Sequence, residues 1–321
     1  TFPSLKEAED FMWKQSDPYV FKTLGDEEDK SLSYVSDSAA DMVGQLQRWQ
    51  KIGMKLKGEC MLQEKIDLIA EVGISAWMGK DGFLEAKNLN FEHKKMLSGD
   101  FGPNTGETGT VCQYVKKEKL IDEILTPMEQ LLLKLGHLGD IDINCGIDQE
   151  GKAWPFEWTC RFGWPSTQIV MSCHEGDPVM WMKDALDGKD SLKVSYDTAV
   201  GVLVAQPPFP EPANPEKLED VPIYGLEDIW EQFSPWQILI SKSPEMVKGA
   251  VKEVDGYMTT GTYIGVVTGK GKTVKSAAES AYSAIDQIHL RSMMIRNDIG
   301  LKLESQLPKL HKFGYALEME Y

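Results

Sequence analysis

Residues 139–163, GDIDINCGIDQEGKAWPFEWTCRFG, alternate polar and apolar side chains twice over. A strand sends successive side chains to opposite faces, so Asp140, Asp142 and Asn144 share one face while Ile141, Ile143 and Cys145 share the other. In the second half Glu157, Thr159 and Arg161 alternate with Phe156, Trp158, Cys160 and Phe162. Between them Asp148-Gln149-Glu150-Gly151 suits a four-residue turn, with Asp first and Gly last. That turn pairs Ile147 with Lys152 and sets Asp142 opposite Glu157. Facing β positions lie about 5 Å apart at Cβ, where two unit charges repel by roughly 3 kcal/mol at an effective dielectric near 20. A cation relieves that repulsion. Hard divalent ions, Mg²⁺ above all, use one or two carboxylates together with substrate phosphates. A solvated acidic face neutralised by Lys152 and Arg161 is the plainer alternative, and spacing alone leaves both open.

Other signals are weaker. His93, His137, His174, His289 and His311 are dispersed, with no HExxH pair. His93 stands out because it lies just ahead of the glycine- and threonine-rich GDFGPNTGETG (99–109); the plainer reading is a packing histidine. GKGKT (269–273) is not a Walker A motif, which needs glycine at 266 where this chain has Val266. A strand-to-helix turn is expected there. Arg291 and Arg296 suit either a substrate phosphate or a solvated helix end. The tryptophans read as core and hinge packing rather than a base-stacking platform.

The elements that must position these residues are interspersed strands and helices. Helices are expected over 4–15, 36–53, 117–135 (disturbed at Pro127), 167–173 and 273–293. Strands are expected over 19–24, 60–64, 72–78, 140–147, 152–162 and 262–269, with a hairpin turn at Asp81-Gly82. GDFGPNTGETG has neither period and reads as a loop. The segment 206–222, rich in proline and glutamate, reads as a surface excursion within a second domain. The class is α/β or α+β, and the boundaries expected are 1–192 and 193–321.

At 321 residues, two or more domains is the default. No run approaches the 18 apolar residues of a membrane span, and TFPSLKEAED has no secretory pattern. The chain starts at Thr1 rather than Met, as a processed chain or a fragment would. Five cysteines with no CxxC pair favour buried free thiols in a reducing, cytoplasmic setting. A net charge of −16 argues against nucleic acid as the main partner, because phosphate binding rests on basic surface.

A strand-borne acid, a hairpin and Glu157-x-Thr159-x-Arg161 resemble the metal-binding end of ATP-grasp ligases. More narrowly, GDFGPNTGETG and FEWTCRFGWPSTQ are similar to two motifs of the phosphoribosylamine–glycine ligase family. FEHKK (91–95), AVGVLVAQPPFP (199–210) and VTGKGKTVKSAAESAYSAIDQIHLRSMMIRNDIG (267–300) fit the same family, in the same order, from about residue 15 to 300. The resemblance implies an ATP-grasp fold followed by a smaller C-terminal α/β domain. The family begins with an additional N-terminal domain, for which little room remains before Lys22, so it is expected to be absent or outside this chain.

The resemblance implies roles residue by residue. Lys22 matches the lysine on the nucleotide phosphates, Glu64 the approach to adenine, and Glu71 an acid near the ribose; Lys30 stands in for a lysine of the phosphate loop. Asp142 and Glu157 match the magnesium carboxylates, with Thr159 in place of the family's usual asparagine, and Mg²⁺ or Mn²⁺ is implied beside ATP. Arg161 matches the arginine facing the acyl phosphate. Asn104, Thr105 and Gly106 fall in the loop serving the amino acid and amine substrates. The implied activity is an ATP-dependent carboxylate–amine ligase acting on small molecules, by default glycine and phosphoribosylamine. Glu107 and Thr108 replace the family's Gly-Met, Trp164 and Ser166 replace acids, and GDEEDKSLSYV (25–35) puts four acids before Lys30. These departures keep two alternatives open: a ligase of the same fold for a different amino acid or amine, and a non-catalytic scaffold that lost ATP.

Overall fold

The computed structural model describes residues 1–24, 33–210 and 219–321. They form two compact units, Thr1–Asp67 and Leu68–Tyr321. The division therefore falls at 67/68, whereas the sequence reading divides the chain at 192/193.

In the first unit Ser4 caps α1 (Leu5–Met12), its hydroxyl accepting from the Glu7 N–H. Next come β1 (Tyr19–Thr23), β2 (Tyr34–Val35), α2 (Ala39–Lys51, capped by Ser38) and β3 (Cys60–Glu64). β1 lies between β2 and β3, antiparallel to both. Leu5, Ala8 and Met12 of α1 and Met42, Val43, Leu46 and Trp49 of α2 recur at helical spacing and close over Phe21 and Cys60.

The second unit opens with β4 (Leu68–Gly79), β5 (Gly82–Leu97), β6 (Phe101–Val115), α3 (Glu129–Leu135), β7 (Gly139–Asp148), β8 (Ala153–Thr159) and α4 (Ser166–Met171). It continues with β9 (His174–Glu175), α5 (Pro178–Leu186), β10 (Lys193–Val194), β11 (Thr198–Ala205), β12 (Glu219–Tyr224), β13 (Phe233–Pro235), β14 (Ile238–Val247) and β15 (Ala250–Thr260). It closes with β16 (Tyr263–Gly271), α6 (Val274–Ile285), β17 (His289–Leu290) and α7 (Leu303–Lys312). Eight strands make the main sheet in the order β13-β16-β11-β6-β5-β4-β7-β8, so strands from both sides of 192/193 share it. Its pairings are antiparallel, which places the fold at the α+β end of the expected class. One face buries Val72, Ile74, Leu89, Phe91, Ile141, Ile143 and Ile147 in the core with α6 and α7.

Several elements differ from their sequence expectation for local reasons. The helix over 117–135 is broken into a π turn (Ile121–Leu125), a 3₁₀ turn (Thr126–Met128) and α3, at the proline that lacks an N–H. The helix expected over 273–293 stops at Ile285, and His289-Leu290 pairs with β12. Within 206–222, Glu219 already begins a strand, and 211–218 lie outside the described residues. GDFGPNTGETG is not a loop but the start of β6: Leu97 pairs with Phe101, Lys95 with Asn104 and His93 with Gly109. Residues 105–108 thus stand against Lys94 alone, a wide bulge in a paired strand. GKGKT is the expected strand-to-helix turn, closed by Thr273 and Ser276 in a reciprocal cap.

The β7–β8 register also needs correction. The turn does start at Asp148 and end at Gly151, but the backbone closes between Asp148 and Lys152, not Ile147 and Lys152. Gly151, at φ 81°, supplies the left-handed residue of a three-residue hairpin loop. The Asp148 carboxylate fixes it by accepting from the N–H groups of Glu150 and Lys152 at 3.0 and 2.8 Å. A second slip follows, because Asn144 pairs with Glu157 while Cys145 pairs with Pro155, leaving Phe156 bulged. Asp142 consequently faces Thr159, and Glu157 is its diagonal neighbour on the same face.

Gly151→Ala should cost roughly 2–4 kcal/mol, because its Cβ would lie 2.2 Å from the Phe313 ring in a left-handed backbone. Gly136→Ala, at φ 68° with open space around it, should cost only about 1 kcal/mol. Urea unfolding of both variants measures the difference, and equal costs would contradict the hairpin geometry.

Candidate active site

The main sheet's polar face is built from alternate residues of four adjacent strands. Asp142 pairs with Ser75 and Ser75 with Asn88; Asn144 pairs with Gly73 and Gly73 with Asn90. Side chains knit these rows together. The Asn88 amide donates to Ser75 Oγ at 2.6 Å, the Asn90 amide to Asp142 Oδ2 at 2.8 Å, and the Asn144 amide to Glu92 Oε2 at 3.4 Å. Position 73 must be glycine for this, since a Cβ there would sit 2.1 Å from Asn90 Oδ1. Lys94 holds the acids of the next row, with Glu71 at 3.2 Å and Glu92 at 3.3 Å.

Negative charge exceeds positive on this face. Burial, and then the Glu92 carboxylate, push Asp142 up to about 7. Burial likewise pushes Asp140 up to about 7, against the opposing pull of the Ile141 N–H and Arg161. Burial lowers Lys94, but Glu71 and Glu92 outweigh it and hold the ammonium well above its ordinary value. Glu107 is raised well above the usual carboxyl range, by burial first and by Glu92 second. Among the described residues no three His, Cys, Asp or Glu side chains gather into a metal cage. The hard oxygens of Asp142, Glu157 and Thr159, neighbours on one face, nonetheless suit a divalent ion that takes two carboxylates and completes its shell from phosphate and water.

The other predicted residues are spread more widely. Arg161 follows the end of β8, exposed, its guanidinium donating to the Phe162 carbonyl at 3.1 Å. Asn104 pairs with Lys95, Thr105 Oγ1 donates to the Lys94 carbonyl at 2.9 Å, and Gly106 is exposed on the bulge. Glu71 joins the acid face through Lys94. Lys22, opposite Met61, and Glu64, opposite Tyr19, belong to the first unit's sheet. Lys30 lies outside the described residues. His93 is fully buried on the face opposite Glu92 and Lys94; the Gly300 N–H donates to its Nε2 at 3.1 Å. Burial, with Lys302 and Arg296 nearby, lowers it to about 3, so it stays neutral. Of the cysteines, four are buried and Cys160 is exposed, all as free thiols. Sequence reasoning missed Asn90, Glu92, Lys94 and Glu107. The alternation Asn88, Asn90, Glu92, Lys94 was the available signal for the first three.

This fold, a broad antiparallel sheet with an acid-bearing hairpin at its edge, is the ATP-grasp fold. In sequence it is similar to phosphoribosylamine–glycine ligases. It is 34% identical to the ligase of Neisseria meningitidis serogroup B over 221 residues, which cover 66% of this chain and 49% of that protein. The chain thus spans about half the length of the curated relatives it matches. The crystal structure of the Thermotoga maritima phosphoribosylamine–glycine ligase superposes with a TM-score of 0.67 at 20% identity, covering 93% of this chain and 73% of that one. The N5-carboxyaminoimidazole synthetase of Staphylococcus aureus, solved with ADP, follows at a TM-score of 0.50 and 12% identity, covering 88% and 65%. No family model matches the chain. Among the described residues no helix is long and apolar enough to cross a membrane.

The buried neutral histidine gives a signed pH prediction. Its folded pKa lies below the unfolded value near 6.5, so the unfolded state takes up the proton first as pH falls. His93 should contribute a loss of roughly 2 kcal/mol of stability between pH 7 and 5, with His174, lowered by burial to about 4, acting in the same direction and Asp140 and Asp142, raised by burial to about 7, acting in the opposite one. In urea titrations at the two pH values, His93→Gln should be more stable at pH 5 relative to pH 7 than wild type is, by about that amount; the same pH difference in both proteins would show that His93 is not held neutral.

Proposed function

We propose that the chain is an ATP- and Mg²⁺-dependent carboxylate–amine ligase, with glycine and phosphoribosylamine as the default substrate pair. The observation that carries this is the diagonal pair Asp142 and Glu157, beside Thr159, on a face short of positive charge. The 34% identity to a phosphoribosylamine–glycine ligase, and a fold neighbour solved with ADP, support the same reading. In this chemistry a substrate carboxylate oxygen attacks the γ-phosphorus of ATP and ADP leaves. The amine nitrogen then attacks the acyl carbon, inorganic phosphate leaves, and an amide remains.

Asp142 and Glu157, with the Thr159 hydroxyl, would hold Mg²⁺ or Mn²⁺, which neutralises charge on the β- and γ-phosphate oxygens. Lys22, Lys30, Glu64 and Glu71 are assigned to the nucleotide. Arg161 is assigned to the acyl phosphate, where a fixed cation stabilises developing charge. Asn104, Thr105 and Gly106, presented on the bulge that Thr105 ties to β5, are assigned to the substrates. His93, neutral and held by Gly300, would set the backbone of β5 rather than carry a proton. The five free thiols fit a cytoplasmic enzyme of small-molecule metabolism. A second reading, a ligase for another amino acid, is favoured by the buried carboxyl of Glu107.

Titration calorimetry of ATP with and without Mg²⁺, on wild type, Asp142→Ala and Glu157→Ala, tests the proposal. Binding should depend on Mg²⁺ and be lost in Glu157→Ala, and ADP release with both substrates should fall roughly 100-fold or more in either variant. MgATP binding untouched by both substitutions would remove the metal assignment, and its absence from wild type would favour a scaffold.

A further inference from the structure

Glu107 has no counterpart role in the reaction as described, yet it is only 4% exposed and its Oε1 lacks any hydrogen-bond partner among the described residues. It sits in the bulge at 105–108, which is pinned to β5 on both sides of it. Thr105 Oγ1 donates to the Lys94 carbonyl at 2.9 Å and Thr108 Oγ1 to the His93 carbonyl at 2.7 Å. The carboxyl lies within the field of Glu92, Lys94 and Asp142, the polar face itself. It also acts on Tyr263, whose hydroxyl is a second buried polar atom without a partner among the described residues. Around Tyr263 lies an aromatic group: Trp164 at 5.0 Å and Phe209 at 5.8 Å between ring centroids, with Trp236 4.2 Å beyond Trp164.

An unpaired buried carboxyl oxygen is costly, and one beside a reaction site is a place that a ligand could complete. For an ionised Glu107 the missing partner donates hydrogen bonds, since Glu92 and Asp142 already crowd the face with acceptors. It should also carry positive charge, which a carboxylate and aromatic faces both favour and an anion would not share. An ammonium group meets these conditions.

We propose that Glu107 and Tyr263 receive the α-ammonium of the amino acid whose carboxylate is activated, with its side chain lying against Trp164 and Tyr263. This rests on the second of the two ligase readings of the site, a ligase for another amino acid, and narrows that substrate to an α-amino acid with an apolar or aromatic side chain larger than glycine's. Glu107 is then a specificity-determining residue. Its bulge orients the substrate carboxylate toward the Asp142–Glu157 edge of the face.

Calorimetric titration of the full chain with phenylalanine, glycine and 3-phenylpropanoate, in the presence of MgADP, separates the contributions. 3-Phenylpropanoate is phenylalanine without its ammonium. Phenylalanine should bind at least about tenfold more tightly than either, in line with the worth of one charge-assisted hydrogen bond. Glu107→Gln should weaken phenylalanine roughly 10- to 100-fold and leave 3-phenylpropanoate and MgADP unchanged, a pattern that general destabilisation would not give. Tyr263→Phe should weaken phenylalanine less. Equal weakening of phenylalanine and 3-phenylpropanoate, or no preference between them in wild type, would overturn the ammonium site. Glycine binding as tightly as phenylalanine would overturn the side-chain assignment. If MgADP does not bind the wild type, the ligase reading fails, and the titrations without nucleotide still decide whether Glu107 discriminates for the ammonium.

Discussion

Electrostatic repulsion among carboxylates on one sheet face is the constraint around which the second unit is organised. Strand alternation leaves no choice about where these acids go: once Ile141, Ile143 and Phe91 are committed to the core, Asp140, Asp142 and Glu92 must share the other side. The face answers with one lysine, two asparagine amides and a glycine that lets Asn90 lie flat. Those groups bridge neighbouring acids but do not match their number. A surface selected only to be soluble would spread such charges or pair each one. Here they are gathered and half buried, a costly arrangement for an isolated fold and a useful one for a site that takes up cationic or metal-bound ligands.

The hairpin illustrates how far a sequence reading carries. Alternation alone assigned Asp142, Glu157 and Thr159 to a common face, and that survives any even shift of register. Direct opposition of the two acids did not survive, because it depended on two backbone details. Gly151 adopts a left-handed conformation and shortens the loop to three residues, and Phe156 bulges out of β8. Each slips the pairing by one residue, and together they restore the shared face while moving Glu157 to the diagonal. Diagonal neighbours lie about 7–8 Å apart rather than 5 Å. Their mutual repulsion falls to roughly 2 kcal/mol at the same dielectric.

GDFGPNTGETG failed as a loop prediction for a related reason. Its glycines and threonines carry no hydrophobic period, and period is the signal by which strands are recognised. The pairing with β5 is nevertheless made by the backbone, and side-chain hydroxyls of Thr105 and Thr108 secure the four extruded residues. Asn90, Glu92 and Lys94 were legible as an alternating polar row, but only the neighbouring strands show that this row faces Asp142 across Gly73. Glu107 was visible as a departure in the loop; that it is buried and unpaired is a tertiary fact that no local pattern encodes.

His93 and Glu107 show why burial alone does not identify a functional group. Both are ionisable, both are buried beside the same bulge, and each has a buried atom without a partner among the described residues. The histidine lies on the core side, and its other nitrogen accepts from the Gly300 N–H, so its neutral form is already well served. The glutamate lies within the field of three charged groups of the polar face, beside a tyrosine hydroxyl that is equally unserved. Neutralising a histidine at physiological pH costs little, because its ordinary pKa is close by. Keeping a carboxyl protonated there is far more costly, and a fold bears that cost where a ligand relieves it. That asymmetry is the physical support for the proposed substrate role of Glu107 and for the proposed scaffold role of His93.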